Sequence, residues 1–145
     1  LKLYSNKELR AIVEANMDKL EISLSDDAIK FVAKISKGTP RIVNSTLEWL
    51  RDYKVSKSLG QLSVSDVEEA MRIRGVDTNG FTDVDRQYLR ALSKSDIPLG
   101  VGTISATTGI DKATIEDIVE PWLLRNDIVT KTPRGRILNR KKIRK

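Results

Sequence analysis

Cysteine and histidine are both missing from this 145-residue sequence, and their absence removes several chemistries together. Zinc fingers, thiol nucleophiles, disulfide scaffolds and histidine-dependent acid/base triads are all excluded, and the lack of cysteine fits a reducing compartment. Aromatic residues are scarce at 5%, with 39% hydrophobic and 32% charged, a balance that suits small helical bodies with wide solvated faces rather than one thick core. No apolar run approaches the ~18 residues that a membrane-spanning helix needs. The opening Leu1-Lys2-Leu3-Tyr4 lacks the pattern of a signal peptide. It also lacks an initiator methionine, so the expectation is a piece of a longer protein. One further absence is local: residues 131–145 contain no Asp or Glu.

Those fifteen residues hold eight Lys or Arg, and the first 130 have a net charge of −2, so the whole excess of +6 comes from the end of the chain. Ile128-Val129-Thr130 is β-branched and reads as a strand, Pro133 and Gly135 as turn formers, and Ile137-Leu138 as the start of a return strand. The product is a hairpin with Arg134 and Arg136 at its tip. Arginine forks hold phosphate bidentately, and a tight turn would push them away from the body toward a nucleic-acid backbone.

Upstream, the helix signals are clear. Ser5-Asn6-Lys7-Glu8 is a capping box, followed by Leu9, Ile12, Val13, Met17 and Leu20 at helical spacing. Ser25 starts a second helix with Asp26 and Asp27 in its first turn, a stripe through Ala28, Phe31/Val32 and Ile35, and Gly38 as its stop. Thr39-Pro40 reads as N-cap and N1 of a third helix, buried along Ile42, Val43, Leu47, Leu50 and Tyr53. After a connector at 54–60, Ser63 or Ser65 caps a helix carrying Val67, Ala70, Met71 and Ile73. This predicts a four-helix bundle ending near Gly75.

A second set begins with the box Thr82-Asp83-Val84-Asp85, backed by Val84, Tyr88, Leu89 and Leu92. A loop over 93–102 leads to a short helix at about 103–108, a turn at Gly109-Ile110, and a longer helix capped by Asp111 with Ile115, Ile118, Val119, Trp122 and Leu123 in register. Three helices, the last two joined by a tight turn, and then a hairpin give the order of a winged helix-turn-helix. The longer helix carries Glu116, Asp117 and Glu120, which a groove lined with phosphates would repel. Contact with DNA is therefore assigned to Lys112, Lys131, Arg134 and Arg136, with the tail adding diffuse attraction, as phosphate rather than base readout.

Arg41 falls in the first turn of its helix, beside free backbone N–H groups where a phosphate can sit. Gly100-Val101-Gly102 lacks the third glycine of a dinucleotide fingerprint, and no G-x-x-x-x-G-K-[ST] occurs. The chain alone cannot hold a nucleoside triphosphate by that route. Paired carboxylates such as Asp26/Asp27, Glu68/Glu69 and Glu116/Asp117 read as caps and solvated surface, so no metal site is expected. Pro121, inside the last helix, is expected to bend it.

Taken in order, Gly38-Thr39-Pro40-Arg41-Ile42-Val43-Asn44, Leu50-Arg51-Asp52-Tyr53, Val76-Asp77, Asp85-Arg86, Thr114-Ile115-Glu116-Asp117, Glu120-Pro121-Trp122-Leu123 and Thr132-Pro133-Arg134-Gly135-Arg136 resemble the C-terminal two domains of the RuvB family. These are hexameric bacterial motors that drive branch migration of Holliday junctions. The resemblance implies a mainly α chain: a small helical AAA+ lid over 1–76, followed by a winged helix-turn-helix with a short β-hairpin wing over 77–145. It makes Arg41 the sensor-2 residue, with Tyr4 and Pro40 beside it on the nucleotide side. It matches Lys112, Lys131 and Arg136 to DNA-contacting positions, the first two usually Arg in the family. It further implies ATP, with magnesium held by an N-terminal domain that carries the Walker motifs. The partners implied are duplex arms of the junction, other subunits of a hexameric ring, RuvA through that N-terminal domain, and RuvC, in the bacterial cytoplasm. Two other readings of the residues remain open, a winged-helix transcriptional regulator and a protein-interaction module that does not bind DNA.

Overall fold

Serine caps define the first half of the chain. In the computed structural model, which describes residues 3–140, the Ser5 hydroxyl accepts the Glu8 N–H while the Glu8 carboxylate accepts the Ser5 N–H, and α1 runs Asn6–Leu20. Ser25 caps α2 (Asp26–Ile35) through the Ala28 N–H. Ser63 and Asp66 form a second reciprocal box at the start of α4 (Val64–Ile73). Each satisfies donors that a helix start leaves orphaned. The exception is α3 (Pro40–Ser56), where Thr39 is the N-cap residue but its side chain makes no capping bond, and Pro40 supplies the first helical position.

These four helices enclose an apolar centre in which Leu9, Val13, Val32, Leu47, Leu50 and Val67 are fully buried. A lone parallel bridge between Leu24 and Leu62 ties the loops before α2 and α4. Ile73 departs from expectation and is 53% exposed. At about 100° per residue it lies roughly 110° from the centre of the Val67, Ala70 and Met71 stripe, outside the buried arc. Residues 77–81 fold back on this body: Asp77 Oδ1 accepts the N–H groups of Asn79 and Phe81, and Gly80, at φ +84°, sits on the backbone of Ile35. The chain accordingly divides into two units at 81/82.

The second unit opens with α5 (Asp83–Ser93), capped by the reciprocal Thr82/Asp85 box. Val84, expected behind that box as core, is 37% exposed. Next come α6 (Val101–Thr108), closed by Gly109 in the left-handed region at φ +78°, and α7 (112–125). α7 is not a regular α-helix. Its middle, Ile115–Val119, is a π turn, followed by an α segment Glu120–Arg125. The turn explains Pro121, which has no N–H to give and whose ring crowds the preceding turn; a wider turn just before it takes up the extra residue. It also changes which residues within and after it face inward. Ile118, expected in the buried stripe, is 70% exposed, while Glu120, expected on the outer face, is 2% exposed.

β1 (Val129–Thr132) and β2 (Gly135–Leu138) pair antiparallel, Val129 opposite Leu138 and Lys131 opposite Arg136; β1 begins one residue later, and β2 two residues earlier, than the strands read in the sequence. The loop before α6 is more than a connector: Leu99 forms a third edge, exchanging both backbone hydrogen bonds with Arg136 at 2.7 and 3.0 Å. Gly135 permits this approach. At φ +134°, a Cβ there would stand 2.4 Å from the Leu99 carbonyl carbon, so no other residue fits without moving the backbone.

Candidate functional site

The wing tip is shaped by Thr132. Its hydroxyl donates to the Gly135 carbonyl at 2.8 Å and accepts the Arg134 N–H at 3.2 Å, closing the two-residue turn Pro133-Arg134. Pro133 and Arg134 are exposed at this tip, and Lys131 is exposed on β1. Lys112, exposed in the first turn of α7, lies back over α6, since a side chain added at Gly102 would meet its Cε at 3.7 Å. Three of the four expected phosphate contacts therefore present solvated cations.

Arg136 does not. The expectation put two arginines at the tip, but strand alternation sends Arg136 inward, where it is 6% exposed. Its Nε donates to Glu120 at 2.7 Å and its Nη2 to the same carboxylate at 3.1 Å. The Tyr88 hydroxyl donates to Glu120 at 2.5 Å, and Glu116, half exposed, stands 3.8 Å from the guanidinium. The hydrogen bond to Glu120 raises the Arg136 pKa above its ordinary value. Burial first, and then the bond to an anion, pushes the Tyr88 phenol up, so it stays a donor. The Arg136 fork is committed to a carboxylate inside the protein, not held out toward a phosphate.

Sequence reasoning missed this network. Glu120 reads as one more acid on a polar face, and only the proline that follows it hints that the helical register breaks there. Arg140, counted among the attracting bases, is also engaged, donating to the carbonyls of Ser93 and Ser95. The rest of the basic tail, Lys141, Lys142, Arg144 and Lys145, lies outside the described residues.

In the first unit the Tyr4 N–H donates to the Gly38 carbonyl at 2.8 Å, pinning the N-terminal segment against the loop that starts α3. Gly38 sits at φ +76°, and an added Cβ would stand 3.0 Å from that of Leu3. Tyr4 is thereby held beside a segment that reaches Arg41 three residues later. Arg41 is exposed in the uncapped first turn of α3, following Pro40. Backbone N–H groups, a positive helix end and a guanidinium suit a phosphate arriving from outside. They do not suffice to hold a triphosphate. Among the described residues no group of His, Cys, Asp and Glu is arranged to hold a metal, and no helix is long and apolar enough to cross a membrane.

Comparison with known proteins also divides the chain in two, with the boundary at 77/78. Residues 4–77 match the RuvB AAA lid domain and 78–144 the RuvB C-terminal winged helix domain. The subunit named Holliday junction branch migration complex subunit RuvB is 36% identical in Kosmotoga olearia, over 99% of this chain and 43% of that protein. Its namesake in Rhodopirellula baltica is 38% identical, over 92% of this chain and 37% of that protein. The solved Thermotoga maritima RuvB Holliday junction branch migration motor superposes with a TM-score of 0.91 at 28% identity, covering 98% of this chain and 48% of that one. The chain thus spans less than half the length of these relatives. It matches the part of them made of lid and winged helix, and it belongs to the RuvB family.

Proposed function

We propose that this chain is the lid and DNA-gripping part of an ATP-driven hexameric motor that moves Holliday junctions during recombination and repair. The observation that carries the reading is the wing: a Thr132-braced turn holds Arg134 out, with Lys131 exposed beside it on β1. Lys112 offers a further cation from α7. Contacts of this kind address phosphates and ignore sequence, which suits a machine that must grip any duplex. Arg136 serves by holding the wing through Glu120.

On the lid, Arg41, with Pro40 and Tyr4 beside it, senses the phosphates of ATP bound elsewhere in the parent protein. ATP supplies the free energy that moves the lid, and residues outside this chain hold it with magnesium. Arg41 contributes a mobile cation at the positive end of α3. Duplex junction arms and neighbouring subunits would be the direct partners, with RuvA and RuvC engaged by the whole assembly in the bacterial cytoplasm.

The test is fluorescence anisotropy of labelled duplex and four-way-junction DNA titrated with this chain at two salt concentrations, beside Lys131→Ala/Arg134→Ala. Weak, sequence-indifferent binding is expected, with the salt slope reduced by about 2 in the double variant, about 1 for each phosphate no longer neutralised. No binding at low salt would turn the reading toward a protein-interaction module. Tight binding to one sequence alone would favour a regulator. For the lid, Arg41→Ala in the full-length parent should abolish ATP-driven migration, and wild-type rates there would refute the sensor role.

A further inference from the structure

Arg136 joins three elements through one residue. Its backbone bridges Leu99, its position in β2 faces Lys131 on β1, and its guanidinium reaches Glu120 and Glu116 on α7. The two acids lie on either side of the break in α7: Glu116 within the π turn, Glu120 at the start of the segment after it. Without the extra residue in that turn, Glu120 would point outward and the guanidinium would have no buried partner. From α5, Tyr88 supplies the remaining bond to the carboxylate.

Stability alone does not account for this arrangement. Removing two charges from water is costly, and well-packed apolar side chains of similar volume commonly serve a core as well or better. A bidentate fork and a phenol on one carboxylate add direction instead, because they tolerate one orientation of β2 against α7, whereas apolar surfaces can slide. Lys112 stands on the same helix as Glu120. Lys131 and Arg134 stand on the hairpin that Arg136 anchors.

We propose that Glu120 is a positioning residue for the duplex grip, fixing through Arg136 and Tyr88 the angle of the wing on α7. Lys112 on α7 and the pair Lys131 and Arg134 on the hairpin are then held at one spacing relative to each other. This role rests on the phosphate-gripping function proposed above. Three cations held at fixed spacing bind as one multivalent surface, and three that wander do not.

Charge and position make opposite demands here, which allows a clean test. Glu120→Gln removes a negative charge near the DNA face, so simple electrostatics predicts tighter binding. Positioning predicts weaker binding. Titrations of duplex and junction DNA would compare the wild-type chain, Glu120→Gln and the paired Glu120→Leu/Arg136→Met, each with its melting temperature and the hydrogen exchange of amides at Leu99 and 129–138. The paired apolar variant, made together with Tyr88→Phe so that no buried hydroxyl loses its acceptor, is expected to melt no lower than wild type, yet to exchange its wing amides faster and to bind DNA about tenfold more weakly. Glu120→Gln should also bind more weakly at both salts. If Glu120→Gln binds as tightly as wild type or tighter, or the apolar pair keeps both affinity and amide protection, the positioning role is wrong. A wild-type chain that binds no DNA would remove the gripping function and this role with it, and the exchange data would still report whether the network locks the wing.

Discussion

The lid and the winged helix are of similar size but are centred differently. In the lid, helices meet through aliphatic side chains, with Leu47, Leu50 and Val67 fully buried and no ion pair among the buried residues described. In the winged helix, the buried Tyr88 bonds a carboxylate that is held by a guanidinium, both of them buried. An apolar centre is non-directional and accepts volume-conserving exchange. An ionic centre is directional, and its halves depend on each other. The proposed motion of the lid can rest on the first kind of centre; the proposed fixed angle of the wing gains from the second.

The largest effect should separate the two centres. Arg136→Ala leaves Glu120 buried and charged without its partner, at a cost of about 3–5 kcal/mol, while Leu47→Ala opens a cavity in the lid at about 2–5 kcal/mol. The ranges overlap, so the location of the loss is the informative quantity. Each unit has one tryptophan, Trp49 in α3 and Trp122 in α7, and a Trp→Phe background isolates either signal. Arg136→Ala should lower the denaturation midpoint seen by Trp122, and Leu47→Ala the one seen by Trp49. Conservative exchange sharpens the contrast. Leu47→Met should cost less than ~1.5 kcal/mol, whereas Arg136→Lys keeps the charge but loses the fork and should recover only part of the loss. Equal tolerance at both sites would erase the distinction.

Much of the lid was legible because its determinants are local. The Ser5, Ser25 and Ser63 caps, the Pro40 start and the aliphatic stripes are each set within a turn or two of sequence, and the helices follow them. The order of elements in the winged helix was legible for the same reason. Its site was only half so. Lys112, Lys131 and Arg134 are exposed as charge reasoning expects, since a lone cation has nowhere else to go. Arg136 and Glu120 misled because their burial depends on each other across 16 residues and on a π turn that shifts the helical register. A regular period of 3.6 puts Ile118 inside and Glu120 outside, the reverse of what is found. The Leu99 edge was invisible because a single bridging residue has no periodicity. The usable signals were Gly135 within a strand and Pro121 within a helix, both of which mark places where backbone needs outweigh side-chain pattern.

The smallest effect asks whether the difference between the centres extends to the helix ends. Ser63 and Thr82 head equivalent reciprocal boxes, with Asp66 and Asp85 as their return partners. Both hydroxyls accept one backbone N–H, at 3.2 and 3.3 Å. Asp85 is 3% exposed, whereas Asp66 is half-buried. If capping is a local matter, Ser63→Ala and Thr82→Ala should each cost about 1 kcal/mol, because each frees one N–H in the first helical turn and leaves the aspartate still bonded to the cap backbone. Unit-specific tryptophan denaturation would measure both. A Thr82→Ala cost twice that of Ser63→Ala would mean that the buried Asp85 depends on the threonine, and that polar interdependence in the winged helix reaches from the wing anchor to the start of α5.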